Sequence, residues 1–474
     1  MTLPRPGGAV PDPGTVPDAA MEAAARARLA VGRDVMVTFG GRLVLTAVLI
    51  VTDVILARTL GPEGKGAFVL LLLLAQMAAL VVGFGLDRAL GVMVAGPIDV
   101  ARRAFANAAW WTLIVGGLGV VVILLLYGLP AGPEGPRGPL TLIMPPLSEH
   151  ELLLGALALP GELAFGIGLT GLLGRQRVVA YNVLRLLRRL LLLLMLGAFL
   201  ALGTLDLALV LALNFVALAV TTVGIAWAAA RGGIAAARGS IALLRKQLSF
   251  GSRTIVGTLA ERLHFRADAF LLNILVGVAS TGVYSVALAL AEILWYLPSA
   301  LGLVLFSRAV GRGQDSARMA STMTRSMLGL SIAAAIPLAL VAPTLVELVY
   351  GAPFREAGVA LQVMLPGVVA YSVVAILAHF IIAWGAPGRA TAVLLVGLAI
   401  NLVANAVLIP AYGMLGAAAS ATISYTVTAT LTLIVYMRIS GRSMAETLIP
   451  RPSDVSARLD ELRILAGRIG GRRT

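Results

Sequence analysis

The sequence predicts an all-α polytopic membrane protein with about twelve transmembrane helices. They fall into two repeats of about six helices each. Three observations predict this. First, the 474 residues are 59% hydrophobic and only 13% charged, with a mean hydropathy of +0.95. A soluble core needs far less apolar surface. Second, apolar runs recur from end to end, each near the ~20 residues that a hydrocarbon layer demands. Third, one stretch occurs twice, half a chain apart.

That stretch is Asp53–Phe68, DVILARTLGPEGKGAF, which returns as Asp268–Tyr284, DAFLLNILVGVASTGVY. In each copy an aspartate opens the last turns of an apolar helix, and a glycine (Gly61, Gly277) ends it. A second glycine follows five residues on (Gly66, Gly282), then an aromatic (Phe68, Tyr284) and a new apolar run. The offset of 215 residues, from Asp53 to Asp268, is close to half the chain. Repeats of about six helices each account for it.

Taken in order, residues 1–33 are a cytoplasmic N-terminal tail, Pro/Gly-rich at first, without the pattern of a cleaved signal peptide. Residues 34–230 form the first bundle, with spans near 35–57, 67–94, 104–127, 151–173, 179–202 and 205–229. Residues 231–250, RGGIAAARGSIALLRKQLSF, form a basic cytoplasmic inter-repeat linker suited to lie against anionic lipid. The second bundle, 251–438, has spans near 252–276, 282–306, 325–349, 359–383, 390–409 and 413–436, and residues 439–474 are a basic cytoplasmic tail. Arginines concentrate in alternate short loops: Arg102 and Arg103, Arg175 and Arg177, Arg231 and Arg238, Arg312 and Arg318, Arg389, Arg438 and Arg442. This bias predicts that both termini face the cytoplasm. It also explains the net charge of +14 better than nucleic-acid binding does. The loop Gly128–His150 is then external and too small for a catalytic domain.

Charges inside the spans point to function, because hydrocarbon tolerates them only where they pair or line a polar interior. Span one carries Arg42 and Asp53, three helical turns apart and about 16 Å along one face. Span seven is denser. Glu261, His264 and Asp268 form one stripe, and Arg262 and Arg266 the adjacent one. Arg42, Arg262 and Arg266 are the candidate substrate-binding set of a cationic cavity. Asp53, Glu261, Asp268, Glu292 and Glu162 are candidate acidic partners or proton carriers. A self-neutralising structural network is the competing account of the same residues. Arg185, Arg188 and Arg189 are read as lying at the cytoplasmic end of span five. Asp87 and Arg88, adjacent in sequence, are expected to pair with other helices rather than with each other.

Zero cysteines exclude disulfides and thiolate metal sites, and the count of three histidines argues against a metal centre. No Walker, GxSxG or HExxH sequence occurs, so no catalytic residue, cofactor or enzymatic activity is expected.

The chain resembles the polysaccharide flippases of the multidrug/oligosaccharidyl-lipid/polysaccharide exporter superfamily, which carry O-antigen and exopolysaccharide repeat units. The resemblance rests on DVILARTLGPEGKGAF, GFGLDRAL at Gly83–Leu90, RADAFLLNILVGVASTGVYSVALALAEILWYLP at Arg266–Pro298, and NAVLIPAYGMLGAAASATISY at Asn405–Tyr425. It implies two six-helix bundles, related by pseudo-two-fold symmetry around a central cavity that is cationic in many members, and alternating access without ATP in the bacterial inner membrane. The implied substrate is an undecaprenyl-diphosphate-linked glycan, moved from the cytoplasmic to the outer leaflet. Membrane lipids, a coupling ion (H+ or Na+) and polysaccharide polymerase or export proteins are the further partners it suggests, with no nucleic acid. Lipid II flippases of the superfamily carry an aspartate matching Asp53, but typically with arginine before it, where this chain has Thr52. Multidrug antiporters share the layout around apolar or acidic cavities. A membrane glycan polymerase, from a different class, would need a larger external loop.

Overall fold

The computed structural model describes the backbone of residues 18–129, 135, 137–203, 205–234, 237–309 and 313–449. Side chains are described for the same residues except 18–43, 296–309 and 313–315. Of the proposed tails 1–33 and 439–474, residues 1–17 and 450–474 lie outside the described residues.

The chain is all-α. In order it forms α1 (Asp18–Gly83), α2 (Leu86–Met93), α3 (Ile98–Tyr127), α4 (Glu149–Gly174), α5 (Val178–Ala201) and α6 (Leu207–Arg231). The second half forms α7 (Ile241–Leu275), α8 (Val278–Ala309), α9 (Gly313–Tyr350), α10 (Arg355–Ala383), α11 (Pro387–Ser440) and the short α12 (Met444–Leu448). Eight stretches of the described residues are long and apolar enough to cross a membrane. Two of them, in α1 and α11, each hold two passes, and the arginine-bearing α5 and α7 complete the expected twelve.

The fold-back inside α1 follows from its sequence. Gly61 takes φ 65° and ψ −176°, open only to a residue without Cβ, and Pro62 then removes a donor from the helix ladder. Beyond the turn Lys65 Nζ donates to Asp53 Oδ1 at 2.5 Å, 12 residues back. An unbroken helix would hold those residues about 18 Å apart. The chain therefore reverses here. In α11 the reversal is at Gly413 (φ 57°), and Asn401 Nδ2 donates across it to Ser424 Oγ at 3.2 Å.

Each half buries its own core. Leu70, Leu90, Leu152, Leu196 and Leu211 belong to the first, and Tyr284, Leu361, Phe380, Tyr425 and Tyr436 to the second. The halves clasp each other through equivalent residues. Arg58, five residues after Asp53, donates from Nε to the Val349 carbonyl (2.8 Å) and from Nη2 to that of Leu348 (2.7 Å), at the end of α9. Asn273, five residues after Asp268, donates from Nδ2 to the Ile143 carbonyl (2.9 Å), in the loop after α3. The first span of each repeat thus reaches across to the other half, to the end of its third span in one case and to the loop after its third span in the other.

The second glycines of the repeats lie at the crossing point. A Cβ on Gly66 would stand 2.0 Å from the Val278 carbonyl oxygen. One on Gly282 would stand 1.9 Å from the Pro62 carbonyl oxygen and 2.8 Å from Gly66 N. No side chain fits either position. The hairpins cross backbone to backbone.

Two expectations change. Span two does not run unbroken to residue 94: Phe84 and Gly85 take left-handed φ values of 47° and 72° and separate α1 from α2. At that break Gly85 lies against Gly251 of α7, each leaving no room for a Cβ on the other. Residues 241–250 of the linker are not a separate surface helix. Ser240 caps their first turn, its side chain accepting from Leu243 N, and they run straight into span seven as α7.

Candidate functional site

Between the two halves lies a cavity of about 680 Å³. Its wall is built from α1, α2, α4, α5, α7 and α8, so both bundles contribute. Five arginines line it: Arg185, Arg188 and Arg189 from α5, Arg262 and Arg266 from α7. Four acids face them: Asp53, Asp87, Glu162 and Glu292. The wall is cationic.

Pairing divides the arginines. Arg188 grips Glu162 with both Nη atoms, Nη1 donating to Oε2 at 3.0 Å and Nη2 to Oε1. Both side chains are nearly inaccessible, and the guanidinium also sits 4.8 Å from the Phe165 ring centroid. Such a two-pronged pair, stacked on an aromatic face, holds α5 against α4. Arg266 Nη2 pairs with Glu292 Oε1 at 2.5 Å, joining α7 to α8. By contrast Arg185 and Arg262 are exposed in the wall, and among the described residues neither makes an ion pair or a side-chain hydrogen bond. Their donors remain open to a ligand.

The geometry of α7 explains why its arginines face inward. His264 and Asp268, on the next stripe, are buried in the second bundle. Phe265 locks that side in place, with ring centroids 5.1 Å from Tyr371 and 5.2 Å from Trp295, while Tyr425 lies 5.3 Å from His264. A helix pinned through one face presents the other to the cavity.

The aspartates of the repeat occupy related but unequal places. Asp53 lines the cavity and is held by the fully buried Lys65. Asp268 lies one layer behind the wall: Oδ1 accepts from Ala269 N at 2.9 Å, and Oδ2 accepts the hydroxyl of Tyr284, a wall residue. Glu261 is exposed and stands outside the wall. The side chain of Arg42 lies outside the described residues. Glu162 and Glu292 are both arginine partners.

Two sequence readings are corrected. Arg185, Arg188 and Arg189 do not merely mark the cytoplasmic end of their helix: two to three turns into α5, they line the cavity. Their spacing, with Arg188 and Arg189 three and four residues after Arg185, was the available signal, as was the lone Glu162 one span earlier. Asp87 and Arg88 do approach each other, Arg88 Nε lying 3.7 Å from Asp87 Oδ2, in an exposed pair that contributes little. Among the described residues no group of three or more His, Cys, Asp or Glu is placed to hold a metal ion.

A family model described as polysaccharide biosynthesis protein matches residues 31–306. The chain belongs to that family. Its fold is shared with solved transporters. An inward-facing multidrug resistance MATE family transporter of the MOP superfamily superposes with TM-score 0.66 at 15% identity, over 84% of this chain and 95% of that one. Lipid II flippase MurJ, in an inward closed conformation, gives TM-score 0.65 at 13% identity, over 85% and 89%. An outward-facing MATE transporter gives 0.56 at 16% identity, over 85% and 93%. At these identities the likeness is one of fold. Among curated proteins no sequence matches. The chain is thus a multi-pass membrane protein of polysaccharide biosynthesis built on a transporter fold.

Proposed function

We propose that the protein is a flippase for polyprenyl-diphosphate-linked glycans, moving them from the cytoplasmic to the outer leaflet of the bacterial inner membrane by alternating access. The observation that carries this is the cavity with its two open arginines, Arg185 from the first bundle and Arg262 from the second. A diphosphate bearing a hydrophilic glycan does not cross hydrocarbon unaided. Guanidinium forks match its oxygens, and a site shared by two bundles lets their rocking carry the head group across. A cavity of 680 Å³ falls in the range of ordinary ligand sites and admits the diphosphate with its first sugars, while the lipid tail stays in the bilayer. Arg188 and Arg266, neutralised by Glu162 and Glu292, shape the wall and leave its excess positive charge to the open arginines.

The proposed orientation puts both termini in the cytoplasm, so the crossed Gly66 and Gly282 hairpins close the external end.

The experiment is reconstitution of purified protein into vesicles holding a fluorescent polyprenyl-diphosphate-linked glycan. Protein-dependent translocation of this lipid, with no transport of a cationic drug, is expected. Drug transport without glycan-lipid translocation would assign the cavity to export of drugs instead.

A further inference from the structure

A second built site lies away from the central cavity, where α3 meets the segment leading into α7. Two adjoining hollows share Gly239 and Ser240. One, of about 520 Å³, is walled by Arg102, Arg103 and Arg238 with Asp99. The other, of about 460 Å³, is walled by Trp110, Trp111, Ile114, Val115 and Leu244. The pair forms one groove, basic at one end and apolar at the other.

The helix sets its direction. Arg103, Trp110 and Ile114 are spaced seven and four residues apart, so they follow one face of α3, and all three are exposed. From Arg103 to Ile114 the rise is about 16 Å, enough to carry a chain from the interface well into hydrocarbon. Arg102 is occupied, its Nε donating to the Gly233 carbonyl at 2.8 Å and its Nη1 lying 3.8 Å from Asp99. Arg103 and Arg238 make no ion pair among the described residues.

The groove is also braced. Buried Asn107 donates from Nδ2 to the Ser240 carbonyl (3.1 Å) and to Gln247 Oε1 (2.9 Å), and its Oδ1 accepts from Ser240 N (2.8 Å). Gln247 Nε2 returns a bond to the Ala104 carbonyl at 3.3 Å. The segment joining the two bundles is therefore fixed to span three at the floor of the groove.

We propose that this groove binds an anionic phospholipid, its phosphate between Arg103 and Arg238 and an acyl chain along Trp110 and Ile114. Charge complementarity and the basic-to-apolar order of one exposed helix face carry the assignment. An unpaired arginine at an anionic surface is worth on the order of fivefold in affinity, so the pair should favour phosphatidylglycerol over phosphatidylcholine by roughly 25-fold. A lipid seated here contacts the inter-bundle segment at Gly239 and Ser240. The site is independent of what the central cavity carries.

The test is fluorescence quenching in phosphatidylcholine vesicles doped with a brominated-chain lipid. The Trp110 signal is isolated by comparison with Trp110→Phe. Brominated phosphatidylglycerol is expected to quench it at far lower mole fraction than brominated phosphatidylcholine. Arg103→Gln with Arg238→Gln should erase the difference. Raising salt to about 1 M should shrink it in the unaltered protein, a control that needs no variant to fold. Equal quenching by the two lipids, or selectivity surviving both substitutions, would overturn the proposal. Protection by a polyprenyl diphosphate but not by unbrominated phosphatidylglycerol would reassign the groove to the transported lipid, and overturn it equally.

Discussion

Gly66 and Gly282 face each other where the two repeats cross, and neither has room for a methyl group. They are the same position of the repeat, 216 residues apart. Alanine at either must push a backbone carbonyl aside, a distortion of about 1–3 kcal/mol or more. Both Gly66→Ala and Gly282→Ala should lower the thermal unfolding temperature in detergent. Gly117→Ala, at a helical glycine with open space around it, should leave it unchanged or slightly higher. Tolerance of alanine at both crossing glycines would contradict the interlocked hairpins.

Much of this frame was legible in the sequence. Apolar runs of bilayer length and the Asp53 and Asp268 repeat contain the fold, because hydrocarbon leaves a long apolar chain little choice but helices. The partners across space were not legible. Lys65 follows Asp53 by 12 residues and reads as a loop charge until Gly61 folds the chain back. The three arginines of α5 follow the basic loop at Arg175 and Arg177, so loop-charge bias alone assigns them to the helix end. Their three- and four-residue spacing and the lone Glu162 hint otherwise, and the packing of Arg188 on Glu162 with the shared cavity wall places them inside. Nothing local in the sequence marks Arg185 and Arg262 as open and Arg266 as closed, since that depends on which acid reaches which fork.

The Arg188–Glu162 pair should behave as structure. Removing one partner leaves a buried charge stranded, at a cost of about 3–5 kcal/mol. Glu162→Gln and Arg188→Ala should each reduce folded protein in the membrane, as read by fluorescence-detected size exclusion. Normal abundance of both would remove the pair from the scaffold.

Asp53 and Lys65 should be coupled. Lys65→Met strands the carboxylate in the hairpin, whereas Asp53→Asn with Lys65→Met removes both charges together. The double variant should be more stable than Lys65→Met alone, giving a coupling energy of about 0.5–3 kcal/mol in a double-mutant cycle. Strict additivity would show that the short contact contributes nothing.

Topology is open to a clean test because the chain has no cysteine. A single cysteine at Glu149, at the start of α4, should react with an impermeant maleimide in intact cells. One at Arg238, before α7, should react only after permeabilisation. Labelling of both from the same side would overturn the orientation.

The central claim is that the open arginines hold the travelling diphosphate while the paired ones hold the protein. The most direct measurement is translocation of a polyprenyl-diphosphate-linked glycan by Arg185→Ala and Arg262→Ala, normalised to membrane abundance of each variant. The account predicts near-normal abundance with transport reduced at least about tenfold, since a charge-assisted fork contributes about 1.5–3 kcal/mol. Arg→Lys at the same positions should recover only part of it, a point charge being no substitute for the planar fork. Unimpaired transport in both alanine variants, or loss only in step with abundance, would contradict it.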